Sequence, residues 1–145
     1  MKRLIIAASV VALGVVAAFA QNDPIATRKA DMKKVGAASA EMAKITKGEA
    51  PFDLAKVQDA LKTMSEVAKV MPALFPETSK TGGETAALPK VWETKADFDA
   101  RFVKFAKDAA DAASTIKDEA TFKAAFPEVG KNCGGCHESY RAKRS

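Results

Sequence analysis

Histidine is almost absent from this chain: 145 residues contain one. A single imidazole excludes a multi-histidine metal cage and any catalysis that hands protons between histidines. Cysteine is nearly as scarce. The only two, Cys133 and Cys136, stand three positions apart. Two thiols cannot complete a four-thiolate zinc site, and so close a pair cannot build the multi-bridge framework that staples small secreted domains. Stability must therefore come from a core, or from something bound in it. Charge of one sign is not concentrated either: 23 Lys+Arg against 18 Asp+Glu give +5, spread along the chain, which is no footprint for nucleic acid.

Long apolar runs are missing except at the start. Lys2 and Arg3 precede an unbroken apolar and small-residue stretch from Leu4 to Ala20 that closes on Ala18-Phe19-Ala20. A charged head, an apolar middle and an A-x-A site make an export signal, expected to be cleaved after Ala20. Read as a membrane anchor it would be at the short limit of the ~17 to 25 residues that span hydrocarbon. The expected mature chain, 21–145, is one domain of ordinary size with 21 Lys+Arg against 18 Asp+Glu, or +3, working in the periplasm of a bacterium.

Strict alternation of β-branched residues is also absent, and apolar residues recur instead at three and four, so the chain reads as all-helical. Asp23 and Pro24 open a first helix that carries Ile25, Met32, Val35, Met42 and Ile45 and stops near Lys47 and Gly48. Pro51-Phe52-Asp53 restarts the chain into a second, with Leu54, Val57, Leu61, Met64, Ala68 and Met71 on one face and its end blurred by Pro72. Pro76 to Thr94, with Gly82, Gly83 and Pro89, is the longest irregular stretch, of a length that tends to be functional or disordered. Thr94 is a candidate cap for a third helix, whose Phe98, Phe102, Phe105, Ala109, Ala112 and Ile116 repeat as a bundle seam. Asp118 is a candidate cap for a fourth, with Phe122, Ala125, Phe126, Val129, Cys133, Cys136 and Tyr140 facing inward and Pro127 bending it near the middle. Four such helices fit an antiparallel up-down-up-down bundle.

Cys133-Gly134-Gly135-Cys136-His137 is the attachment signature of a c-type haem: two thiols form thioethers to the porphyrin and the adjacent histidine ligates iron. Residues three apart share a helix face, so both sulfurs reach one edge of the ring while His137 aims at the metal. A thioredoxin-like dithiol would need a βαβ context and a helix N-terminus. Half a zinc site has no further ligands to call on. A structural disulfide here would close a very small loop and constrain the unfolded chain little. One covalently attached haem c is the expectation.

A haem motif near the C-terminus of a four-helix bundle, rather than near the start of the chain, resembles the class II c-type cytochromes, the cytochrome c′ family. The resemblance covers the whole mature chain. It includes Arg28, the turn from Lys47 to Asp53, Trp92, Ala124-Ala125-Phe126 ahead of Val129-Gly130, and Cys133 to His137 followed by Tyr140-Arg141. It implies, for most members, an apolar residue of the first helix opposite the histidine and an iron open to small gases such as nitric oxide. The position that the family pattern assigns to that side is Met32 here, a departure that resembles the methionine-ligated, low-spin branch. Bundle geometry supports the pairing. Met32 lies eight residues into the first helix and His137 about seven from the end of the fourth, so at ~1.5 Å per residue antiparallel neighbours bring both to one level. Met42 and Met64 miss that level; Met71 matches it, but on the diagonal helix.

The resemblance further implies that Arg28, one turn before Met32, pairs with a haem propionate and that Trp92 packs at the haem. Gly36, one turn after Met32, leaves room for the ring. The expected function is one-electron transport between periplasmic or membrane-bound redox proteins with His137 and Met32 as axial ligands. The alternative is a five-coordinate protein that binds nitric oxide or carbon monoxide. An enzyme such as a peroxidase would need a distal histidine, and none remains. Arg141, Lys143 and Arg144 are the expected docking charges, and pairing of two copies through the first two helices is open to the chain by the same resemblance.

Overall fold

A computed structural model describes residues 23–143; the export signal read at 1–20 and Arg144 lie outside them. Helix α1 spans Pro24–Thr46. The Asp23 carboxylate accepts from the Ile25 N–H at 2.8 Å, and Pro24 sits where a missing N–H costs nothing. The helix ends because Gly48 turns to φ 75°, which lets its N–H reach Ile45 O at 3.0 Å and the Glu49 N–H reach Lys44 O at 2.9 Å. Asp53 caps α2, Leu54–Val70, and Pro72 falls in the 3-10 turn Met71–Leu74 that finishes it. A single turn, α3 (Lys90–Glu93), precedes α4 (Lys95–Thr115). The last helix, α5 (Glu119–Tyr140), starts from a reciprocal cap between Asp118 and Thr121 and remains helical through Pro127.

Thr94 precedes α4 but does not cap it with its side chain. Its hydroxyl donates instead to Lys90 O at 3.0 Å and meets the Tyr140 hydroxyl at 2.9 Å.

The four long helices form the antiparallel bundle. Gln58 of α2 bonds to Ala113 O of α4, and seven residues along, Ser65 bonds to Ala106 O, seven residues back, so the two helices run in opposite directions. Packing proceeds α1 on α2, α2 on α4, α4 on α5, and α1 and α5 scarcely touch. Val57, Leu61, Met64, Ile116 and Phe122 are at most 1% exposed and form the centre of the core. Full burial of a side chain such as Leu61 or Phe122 stabilises the fold by roughly 1.5 to 3 kcal/mol. Phe122 also stacks on Phe126 and lies against Phe52.

The stretch from Pro76 to Thr94 is more structured than its composition indicates. It contains a 3-10 turn at Glu77–Ser79 as well as α3, and it is fastened to both ends of the chain. Arg28, only 4% exposed, donates to Leu74 O, to Ser79 Oγ and O and to Thr85 Oγ1, at 2.7 to 3.3 Å, and its guanidinium lies 4.4 Å over the Phe75 ring. On the other side Leu88 N–H donates to Tyr140 O at 2.9 Å and Ala142 N–H to Ala86 O at 2.8 Å, around an antiparallel bridge between Ala87 and Arg141. Arg28→Ala should therefore lower stability by about 2 to 4 kcal/mol, since bonds to a charged group are lost and buried acceptors are left bare. Urea unfolding of both proteins measures this; a loss below half a kcal/mol would mean the loop holds without its anchor.

Candidate functional site

The motif occupies the last two turns of α5, where helical spacing puts Cys133, Cys136 and His137 on one face. All three are half-buried, whereas Gly134 and Gly135 between them are exposed. Across from this face α1 presents Met32 and Val35. The wall between is supplied by Arg101, Phe102 and Phe105 of α4. Together with Asn132 these side chains line one cavity of about 50 Å³ at the seam of α1 and α5. Those two helices scarcely touch, so the cavity lies at the least closely packed seam of the bundle.

The donor set fits a haem c. Two thiols three residues apart and one imidazole beside them are what attachment and ligation require, the Met32 thioether stands opposite, and the surrounding walls are aliphatic or aromatic apart from Arg101 and Asn132. The thiols are free. Burial pushes both above the ordinary thiol range, against an opposing pull on Cys136 from Arg101. A dithiol redox centre needs the reverse, a depressed pKa at a helix N-terminus.

Of the methionines in α1 and α2, Met42 and Met64 are 1% exposed and Met71, just past α2, is fully buried; all three belong to the core. Met32 alone among them lines the cavity. Arg28 and Trp92 do not line it. Arg28 is committed to the loop, and the Trp92 indole donates to Pro76 O at 3.1 Å while its ring lies 6.1 Å from that of Phe75. Gly36 is exposed, and a Cβ there would meet nothing within 4 Å.

The sequence reading missed Arg101. Its Nε donates to Asp97 Oδ2 at 2.9 Å and its Nη1 to Gly135 O, inside the motif, at 3.0 Å. The same carboxylate accepts from Tyr140 at 2.5 Å. The bonds from Tyr140 and Arg101 hold Asp97 below the usual carboxylate range, while burial and Asp97 push the Tyr140 phenol up. The available signal was an Asp at i and an Arg at i+4 immediately before Phe102, a pattern indistinguishable from an ordinary surface pair.

Residues 23–141 match the family model described as Cytochrome C′. Cytochrome c′ of Rhodopseudomonas palustris is 51% identical over 143 residues, 99% of this chain and 98% of that protein. Cytochrome c-556 of the same organism is 39% identical, with 99% of each chain covered. The solved structure of the R. palustris cytochrome c′ superposes with a TM-score of 0.83 at 53% identity, covering 86% of this chain and all of the other. The NMR-validated structure of oxidized cytochrome c556 from R. palustris gives 0.77 at 38% identity, covering 85% of this chain and 98% of the other.

Proposed function

This chain belongs to the cytochrome c′ family and binds haem c, and from that premise we propose that it is a periplasmic one-electron carrier whose iron is held between His137 and Met32. Cys133 and Cys136 anchor the ring covalently. The observation that carries the reading is that Met32 and His137, from opposite ends of the chain, line one cavity while Met42, Met64 and Met71 are consumed by the core.

Bound haem supplies a reversible one-electron change at iron. His137 and Met32 would hold the iron, and two protein donors retained through the electron change would keep reorganisation small. Val35, Phe102 and Phe105 exclude water and so disfavour the more highly charged ferric form, and a methionine ligand raises the potential in the same direction. The export signal at 1–20 delivers the chain to the compartment where this chemistry takes place, and pairing of two copies through α1 and α2 leaves the seam of α1 and α5 free.

The 51% identity to a cytochrome c′ favours a second reading, a five-coordinate gas-binding protein in which Met32 only fills space. A visible spectrum of the ferric holoprotein decides between them. A methionine-to-iron charge-transfer band with a low-spin spectrum supports the carrier; a high-spin spectrum with ready carbon monoxide binding selects the gas binder.

Docking belongs to the same reading. Arg141 and Lys143 follow α5 directly at the end that holds the motif, and the sequence adds Arg144. They steer an acidic redox partner, so electron-transfer rates should fall as salt shortens the electrostatic reach to ~8 Å at physiological strength and less above it. Stopped-flow rates over a salt series test this, and rates that ignore salt would remove these residues from docking.

A further inference from the structure

Among the charged side chains that the electron-transfer reading leaves unused, Arg101 is the one whose position has a consequence for a bound haem. It projects from the second turn of α4 toward α5, and its guanidinium is held at two points, by Asp97 one turn earlier and by the Gly135 carbonyl between the two cysteines. A third contact adds to this: the Tyr140 ring lies 5.4 Å from the guanidinium carbon, and the Tyr140 hydroxyl donates to the same Asp97 oxygen, Oδ2, that Arg101 Nε bonds. Asp97 Oδ2 thus accepts from both Arg101 and Tyr140, while Arg101 donates separately to Gly135 O.

The ion pair has a direction. Arg101 lines the cavity that contains Met32 and His137, and Asp97 does not. Both side chains line the outer groove between α4 and α5, where Arg101 is 39% and Asp97 57% exposed. Of the two partners the guanidinium is the less exposed and the one that borders the cavity, so it is the nearer charge to a group held there.

We propose that Arg101 sets the reduction potential of the bound haem, as a fixed cation positioned on the attachment turn by Asp97 and Gly135. Reduction adds one electron from the redox partner to ferric iron and removes one unit of positive charge beside this guanidinium. A nearby cation thus favours the ferrous form and raises the potential. The inference rests on the reading that Cys133, Cys136 and His137 hold the haem.

The test uses the holoprotein expressed with its export signal, as wild type, Arg101→Gln, Arg101→Lys, Arg101→Leu and, as a comparator, Lys104→Gln, which removes a charge from the 67% exposed neighbour one turn along. Haem content is read by the pyridine haemochrome and potential by spectroelectrochemical titration. Arg101→Gln keeps a donor toward Gly135 but loses the charge, and it should lower the potential clearly more than Lys104→Gln does. Arg101→Lys keeps the charge and should restore most of the wild-type value. Arg101→Leu should resemble Arg101→Gln; if it fails to accumulate, the glutamine and lysine variants still decide. Haem-loaded variants in which Arg101→Gln shifts the potential no more than Lys104→Gln, or in which lysine behaves as glutamine does, overturn the proposal and leave the attachment reading standing. A wild type without covalent haem would overturn the attachment reading, and this proposal with it.

Discussion

Replacing Met32 with alanine should convert a closed, low-spin iron into an open, high-spin one that takes carbon monoxide and nitric oxide readily. Among the described residues no other methionine or histidine is placed to substitute. The chain has no second histidine, and Met42, Met64 and Met71 are packed in the core at 1%, 1% and 0% exposure. Bringing any of them to the cavity would require unpacking α1 or α2. The wild type, by contrast, should bind these gases only by displacing its own thioether, with much weaker apparent affinity. Stability should fall too. A half-buried methionine sits at the low end of the ~2 to 5 kcal/mol range for large-to-small core changes, and the lost iron bond adds to it. Spectra and carbon monoxide titrations of both proteins measure the change. A wild type that is already high-spin, or a variant whose spectrum does not move, would return Met32 to the role of filler and leave the gas-binding reading in its place.

Expressed with its export signal, the double variant Cys133→Ala, Cys136→Ala should accumulate little folded protein. The reason is the uneven packing around the bundle. Three of its four helix seams are closed by side chains, and the fourth, between α1 and α5, has almost no direct contact. Without an anchored ring, Met32, Val35, Phe102 and Phe105 face a seam that nothing fills, and voids among such residues cost stability in proportion to their size. Circular dichroism and thermal melting of whatever is recovered provide the test. A cooperative, haem-free bundle melting near the holoprotein would show that the helices close the fourth seam alone.

The bundle was legible because its determinants are local. Asp23 with Pro24, Gly48, Asp53 and Asp118 mark helix ends within two or three residues of themselves, and the 3.6-residue spacing of Phe98, Phe102 and Phe105 needs no partner to be seen. The motif was legible for the same reason, since five consecutive residues carry it. The loop was not. Its structure comes from Arg28, about fifty residues away in sequence, and from Tyr140 and Ala142, and no pattern inside Pro76–Thr94 announces either. Arg28 lies one turn before Met32 in sequence, but burial beneath the loop, not helical phase, decides where its guanidinium goes. Arg101 was hidden by its pairing with Asp97, because a residue that makes one ordinary surface contact conceals a second contact 34 residues away.

The double fastening of the loop sets a dimension of the molecule. Helices that pack directly take their spacing from the side chains between them, but α1 and α5 hardly meet. Both are tied instead to the stretch from Leu74 to Leu88, α1 through the guanidinium of Arg28 and α5 through the main chain at Tyr140 and Ala142. That stretch works as a gauge block: with the packing of both helices on α2 and α4, its length helps to set at this end how far the helix bearing Met32 stands from the helix bearing His137. Inserting or deleting a residue near Gly82 and Gly83 should therefore change the width of a slot that the altered residues do not line.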